Sequence, residues 1–418
     1  MLYRFILGLL YIVSIAQSQP LYADNAISVN LIDGSELHLS VYRAQGESLL
    51  IILPSEHGIT DGLTNLAKEL SNKGIEVWIP DPFTTWFLPE IESSLSKIPL
   101  YSYEELITEA EKTNKNIYLF SNDRGSGVLL EAARAWQSNS DGVLSGVLLV
   151  SPDLYISTPV AGEDGEFLSV AQSTNLPVFI FLPSKSTLAL RIKDTVAVLE
   201  KGGSEVYIQS LQNVRNRFFF RPDATDLEQQ MTAAFAENIL QSMKLTGRFA
   251  KQREARELIS PANNNKSKTT GGLRKYSGQF RPQDFFVSDV NGATHSLSKH
   301  KGKVVIVNFW ASWCPPCVHE MPSMSRLNAE LRDRSFTILA INLGEELEEI
   351  HEFLMKHPVN FPVLLDPQQV LPGKWKVFAF PTSYILDKNG SVRYSVAGGI
   401  DWTSEQVKIV INALLDQK

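Results

Sequence analysis

Residues 304–320 read VVIVNFWASWCPPCVHE, and they set the fold of the C-terminal third of the chain. Val304–Trp310 is a continuous apolar run, the pattern of a parallel strand buried on both faces. A short turn follows, and Cys314–Arg332 has the spacing of a helix. Cys314 therefore stands at a helix N-terminus, where unpaired backbone N–H groups and the helix dipole favour a thiolate. Cys317 lies one turn inside and is shielded. Prolines at the first helical positions cost nothing, because no hydrogen bond is lost there.

These are the only two cysteines in 418 residues. His319 alone cannot complete a four-ligand zinc site with them, and on a surface helix position it is assigned no role. The pair is thus read as a redox dithiol. Attack of Cys314 on a substrate disulfide would form a mixed disulfide, which Cys317 resolves.

Downstream, Phe336–Leu343 reads as a strand, Glu345–His357 as a helix and Pro362–Leu365 as a strand. Thr382–Leu386 and Val392–Val396 form a hairpin around Lys388-Asn389-Gly390, and Ser404–Asp416 closes as a helix. Upstream, Phe285–Asp289 and Thr294–Ser296 flank a turn. This order is a thioredoxin fold, beginning near Gln279.

The residues NFWASWCPPCVHEMPSM, INLGEE, NFPVLLDPQQ and FPTSYILDKNG resemble the extracytoplasmic thioredoxin-like reductases of the TlpA and ResA type over about 140 residues. Read alone, Glu320 is a first-turn helix residue favoured by the dipole and Pro381 a turn proline. The resemblance implies more. Glu320 would take the proton of Cys317, replacing the buried Asp that ordinary thioredoxins carry where this chain has Asn308. Pro381 would be a cis-proline facing the dithiol and holding an incoming chain extended. Trp313 would offer an apolar contact surface beside it. The family implies a reductase in the periplasm, acting on a client protein such as apocytochrome c or a metal-site assembly protein. A membrane thiol carrier would re-reduce it. Cofactors and metal ions are not expected beyond the Cys314/Cys317 disulfide. A thiol oxidant is the opposite direction for the same site.

The N-terminal two hundred residues alternate strands and helices. Ile27–Ile32 and Glu36–Tyr42 read as a hairpin, followed by strands at Ser48–Pro54, Ile75–Ile79, Asn116–Phe120, Gly142–Val150, Pro177–Leu182 and Glu205–Ser210. Helices are expected between them, with a long final one at Asp226–Met243. Such alternation implies a mostly parallel sheet covered on both faces. The opening hairpin and this succession resemble the α/β-hydrolase superfamily, so the whole chain is classed as α/β.

Activity in that domain would need a nucleophile after the fifth strand, an acid, and a histidine after the last strand. Asp123 falls at the nucleophile position, between Ser121 and Gly125, resembling the Asp-nucleophile dehalogenases and epoxide hydrolases; Asp153 is a candidate acid. After Glu205–Ser210, however, no histidine occurs before His295. His38 and His57 match no required position. The domain is therefore read as a degenerate scaffold for binding, with an active Asp-nucleophile hydrolase as the alternative. The segment Pro80–Leu100 carries Phe83, Trp86 and Phe87 as a candidate contact surface or as lid residues packed on the core.

The expected organisation is a signal peptide over 1–23, a domain over 24–246, a flexible linker over 247–277 and the redox domain over 278–418. The signal rests on Arg4 followed by the apolar Phe5–Ala16 run, and the tether on Pro261–Gly272. A net charge of −7 disfavours nucleic acid as a partner.

Overall fold

The structure, a computed structural model, describes residues 26–258, 272–278 and 280–417. The expected signal over 1–23 and most of the Pro261–Gly272 tether lie outside the described residues. Among the described residues no helix is long and apolar enough to cross a membrane.

The first domain is built on β1 (Ala26–Asn30), β2 (Glu36–Tyr42), β3 (Ser48–Ile52), β4 (Ile75–Pro80), β5 (Asn116–Asn122), β6 (Leu144–Val150), β7 (Val178–Lys185) and β8 (Val206–Arg215). They form one sheet in the order β1-β2-β4-β3-β5-β6-β7-β8. Only the contacts of β2 with its two neighbours are antiparallel. The domain is α/β with a mostly parallel sheet, as its alternation of strands and helices implies.

The apolar runs explain the layering. On β3, β5 and β7, Leu49, Ile51, Leu119 and Ile180 face one core. Alternating with them, Leu50, Ile52, Phe120 and Phe181 face the other. Period-two alternation of apolar residues on both sides forces helices onto both faces. Each such side chain contributes about 2 kcal/mol by leaving water. The last helix, Asp226–Gly247, starts at a capping box in which Thr225 and Glu228 bond each other's backbone N–H groups.

The second domain contains β9 (Arg274–Lys275), β10 (Val287–Ser288), β11 (Thr294–His295), β12 (Val304–Trp310), β13 (Phe336–Leu343), β14 (Val363–Asp366), β15 (Thr382–Leu386) and β16 (Val392–Ala397). Six of them form a sheet in the order β14-β13-β12-β15-β16-β9. Here Val305, Val307 and Phe309 of β12 face one core, while Val304, Ile306 and Trp310 face the other with Cys317 and Met321. Asn308 shares the parity of that second face.

Several segments differ from expectation. The strands over Phe285–Asp289 and Thr294–Ser296 shrink to two residues each, because only that short hairpin pairs. A helical turn at Leu371–Trp375 was not expected. Within the expected 247–277 linker, residues 253–257 lie on the first domain: Arg253 Nη2 bonds Glu205 at 2.7 Å, and Ser173 Oγ donates to the Glu257 carbonyl at 2.8 Å. Arg274 and Lys275 pair with β16, so the second sheet begins ahead of residue 278. In the 80–100 segment Phe83 is buried and Trp86 packs against the core, leaving Phe87 as the exposed aromatic.

The two domains touch. Lys185 pairs with Glu349 at 2.9 Å, and Lys376 with Asp164 at 2.8 Å. Phe378 of the second domain meets the Tyr155 ring edge-on at 5.5 Å, with the Arg191 guanidinium 4.5 Å above its centroid.

Candidate functional site: two elbows between strand and helix

Cys314 is the N-cap of the helix Pro315–Glu330 and leads directly from β12. It forms a disulfide with Cys317, with the Cα atoms 5.3 Å apart. The loop before it is held by Glu345, a buried carboxylate that accepts from Ser312 N at 2.7 Å and from Asn342 Nδ2 at 2.7 Å. The Phe380–Pro381 bond is cis, and Pro381 is buried. Phe380 packs on the half-buried Trp313 with ring centroids 5.6 Å apart. His319 is exposed.

Glu320 follows Cys317 by three residues, a spacing that puts both on one side of the helix. It is buried rather than on the solvated first turn. Burial pushes its carboxyl up to about 7, and three hydrogen bonds oppose the rise. Trp402 Nε1 donates to it at 3.1 Å, Asn308 Nδ2 at 2.8 Å and Ile400 N at 3.4 Å. Asn308 also donates to Ser383 Oγ at 2.9 Å. The residue standing in for the thioredoxin Asp thus holds the carboxylate that the resemblance puts in that Asp's place. Trp402 and Glu345 were missed by sequence reasoning. The quoted INLGEE motif was the one available signal for Glu345; Trp402 lies 82 residues from its partner and carried none.

The second elbow lies at the end of β5. Asp123 has a φ of +46°, and the helix Gly125–Asn139 starts two residues later. Gly125 is required here, since a Cβ would sit 2.9 Å from the Ser55 backbone. The Asp123 carboxylate accepts from Asn122 Nδ2 at 2.8 Å, Asn216 Nδ2 at 2.7 Å and Arg217 Nε at 3.4 Å. Asn216 follows β8, where a hydrolase histidine would be needed. Asp153, the candidate acid, pairs with Arg124 at 3.1 Å. Burial raises its carboxyl.

His57, placed by sequence reasoning at no required position, comes within 4.0 Å of Asp123 Oδ2. That is beyond hydrogen-bond reach. Burial first, then the Arg217 charge, lower its pKa, against the opposing pull of the Asp123 charge. Glu56 lies beside His57 and Asp123. Its Oε2 accepts from Arg124 N at 3.3 Å, the backbone donor that in hydrolases faces the reacting oxyanion. Burial, and secondly the Asp123 charge, push Glu56 up to about 7. Glu56, His57 and Asp123 offer ligand atoms within 4.8 Å of one another, the one such group among the described residues. Arg217 already occupies Asp123 from the open side.

The fold, the cysteine pair at a helix N-terminus and the cis-proline define a thioredoxin-like thiol–disulfide oxidoreductase whose redox group is its own cysteine pair. Residues 279–395 match the AhpC/TSA family. The chain is 36% identical over 125 residues to the thiol-disulfide oxidoreductase ResA of Geobacillus thermodenitrificans, covering 30% of this chain and 71% of that protein. It is 36% identical over 115 residues to ResA of Bacillus subtilis, covering 28% and 64%. Through these residues the chain belongs to the ResA-type thiol-disulfide oxidoreductases. Among solved structures, StoA from Bacillus subtilis is similar at 27% identity, covering 31% of this chain and 96% of that one, with a TM-score of 0.28. A thioredoxin-family thiol:disulfide interchange protein from Chlorobium tepidum is similar at 25% identity, covering 36% and 99%, with a TM-score of 0.28.

Proposed function

We propose that this protein is an extracytoplasmic disulfide reductase acting on a client protein, and that its first domain is a non-catalytic module for recognising that client. The observation that carries the reading is Glu320, buried on the helix side that also carries Cys317, where burial pushes its carboxyl up to about 7. In the reduced enzyme, the Cys314 thiolate attacks one sulfur of the client disulfide and the first client thiolate leaves. Glu320 takes the proton of Cys317. The Cys317 thiolate then attacks Cys314, releasing the second client thiolate and leaving the Cys314–Cys317 disulfide. An external dithiol, such as a membrane thiol carrier, must return the two electrons. Trp313 and Pro381 hold the client, with Pro381 keeping its chain extended against the site.

The candidate clients are apocytochrome c or a metal-site assembly protein, and the compartment is the periplasm, reached through the 1–23 segment. The first domain is read as non-catalytic because Asn216 stands where the base is needed, and Glu56 occupies the Arg124 N–H.

The test is the reduction potential of the Cys314/Cys317 couple, by thiol trapping after equilibration in dithiol buffers. A value near or below roughly −250 mV supports a reductase, and one near about −120 mV would make the protein an oxidant.

A further inference from the structure

A cavity of about 300 Å³ lies where the domains meet, and its walls come from both. On one side are the Asp123 elbow, Arg217 and Leu188; on the other are Phe378 and Ala379. The latter two immediately precede Phe380 and the cis-proline. One stretch of chain, 378–381, therefore walls this cavity at one end and the dithiol site at the other. Its position is fixed from the first domain, because Phe378 is gripped between Tyr155 and the Arg191 guanidinium.

We propose that this inter-domain cleft is the second half of the client site. It would take the extended polypeptide flanking the client's disulfide on one side. The inference rests on the reading that the client is a protein held against Pro381. A chain lying along 378–381 advances about 3.3–3.6 Å per residue. Three or four residues therefore span the length of 378–381, from Pro381 to the cleft wall.

The chemistry of the walls suits a main chain with polar side chains. Three guanidinium groups, Arg124, Arg191 and Arg217, stand among four carboxylates, so neither charge dominates. Arg217 is the most open of the three, at 42% exposure against 15% for Arg124 and 18% for Arg191. The Tyr155 hydroxyl, on a residue 5% exposed, and Arg191 Nη1 are polar atoms without hydrogen-bond partners at this wall. Both atoms are shut off from solvent, and turning either side chain toward the cleft would let it donate to an entering carbonyl. The elbow that a hydrolase uses for catalysis would here be used for grip.

The test uses the reduced full chain and disulfide peptides extended by two or by five polar residues on one side or the other. A small disulfide without a chain is the reference substrate. For the wild type, kcat/KM should rise at least tenfold between two and five residues on one side. Leu188→Trp, which fills the cleft, and Arg217→Ala, at its open edge, should each reduce the ratio of extended to chainless kcat/KM at least tenfold, through KM. No length dependence in the wild type, or an unchanged ratio in both variants, overturns the proposal. A wild type that fails to reduce even the chainless disulfide sinks the reductase reading instead, so the two failures are distinguishable.

Discussion

The chain contains two versions of one local device, a buried parallel strand turning sharply into a helix. At the first, β12 delivers Cys314 to the helix N-terminus; at the second, β5 delivers Asp123. Each has a carboxyl raised to about 7 by burial, Glu320 and Glu56 respectively. What differs is the partner. Glu320 lies three residues after Cys317 on the same side of its helix, and in the proposed mechanism it takes that thiol's proton. Glu56 instead fills the backbone donor of its own elbow, while Asp123 is bound by two amides and a guanidinium. A strand-to-helix turn supplies electrostatic potential; whether it does chemistry depends on what the rest of the fold leaves free beside it.

The largest expected effect would break the comparison outright. Cys314→Ser should abolish disulfide reduction, a fall of at least about 10³-fold for loss of the nucleophile. At the other elbow, wild type and Asp123→Ala should show the same background rate on ester and haloalkane substrates. A hydrolysis rate that Asp123→Ala removes would make the second elbow catalytic too.

Next in size is Glu320→Gln, which should lower turnover by roughly 10²-fold, the range for a lost general base. The pH–rate inflection near 7 should vanish with it. A retained inflection at full rate would show that Glu320 moves no proton.

Stability tests what the elbows share. Both carboxyls rise from an ordinary 4.5 to about 7 on folding. Between those values the folded chain holds protons that the unfolded chain has lost, so stability falls as pH rises through that window. Each group accounts for at most about 3 kcal/mol. Urea midpoints measured from pH 4.5 to 8 should decline, and Glu56→Gln and Glu320→Gln should each flatten the decline. Midpoints that climb over the same range would contradict the raised values.

The smallest effect is expected from Trp402→Phe. Without the indole donor the Glu320 carboxylate is less stabilised, so the inflection of turnover should move upward from about 7. One lost hydrogen bond corresponds to roughly one pH unit or less. A downward move would place the indole's influence elsewhere.

Legibility in the sequence followed contact range. The dithiol, its strand and its helix were readable because fourteen consecutive residues, 304–317, carry them. The sheet of the first domain was readable too, since each buried strand announces itself by its own apolar run. Several boundaries moved, as at β8, which continues to Arg215, five residues past the expected end. There the continued pairing of β8 with β7 overrode a polar sequence.

The sequence by itself determined the redox pair, the α/β class of both domains and the missing histidine after the last strand of the first. Only the tertiary structure decided what surrounds each elbow. Sheet order carries Glu56 and Asn216, 160 positions apart, to the same Asp123 carboxylate, and carries Trp402 and Asn308 to Glu320. It also seats Phe378 against Arg191 across the domain boundary. Local pattern records which face of a strand or helix is apolar. It holds no record of which distant loop ends beside it, because that is fixed only when the strands take their places in the sheet.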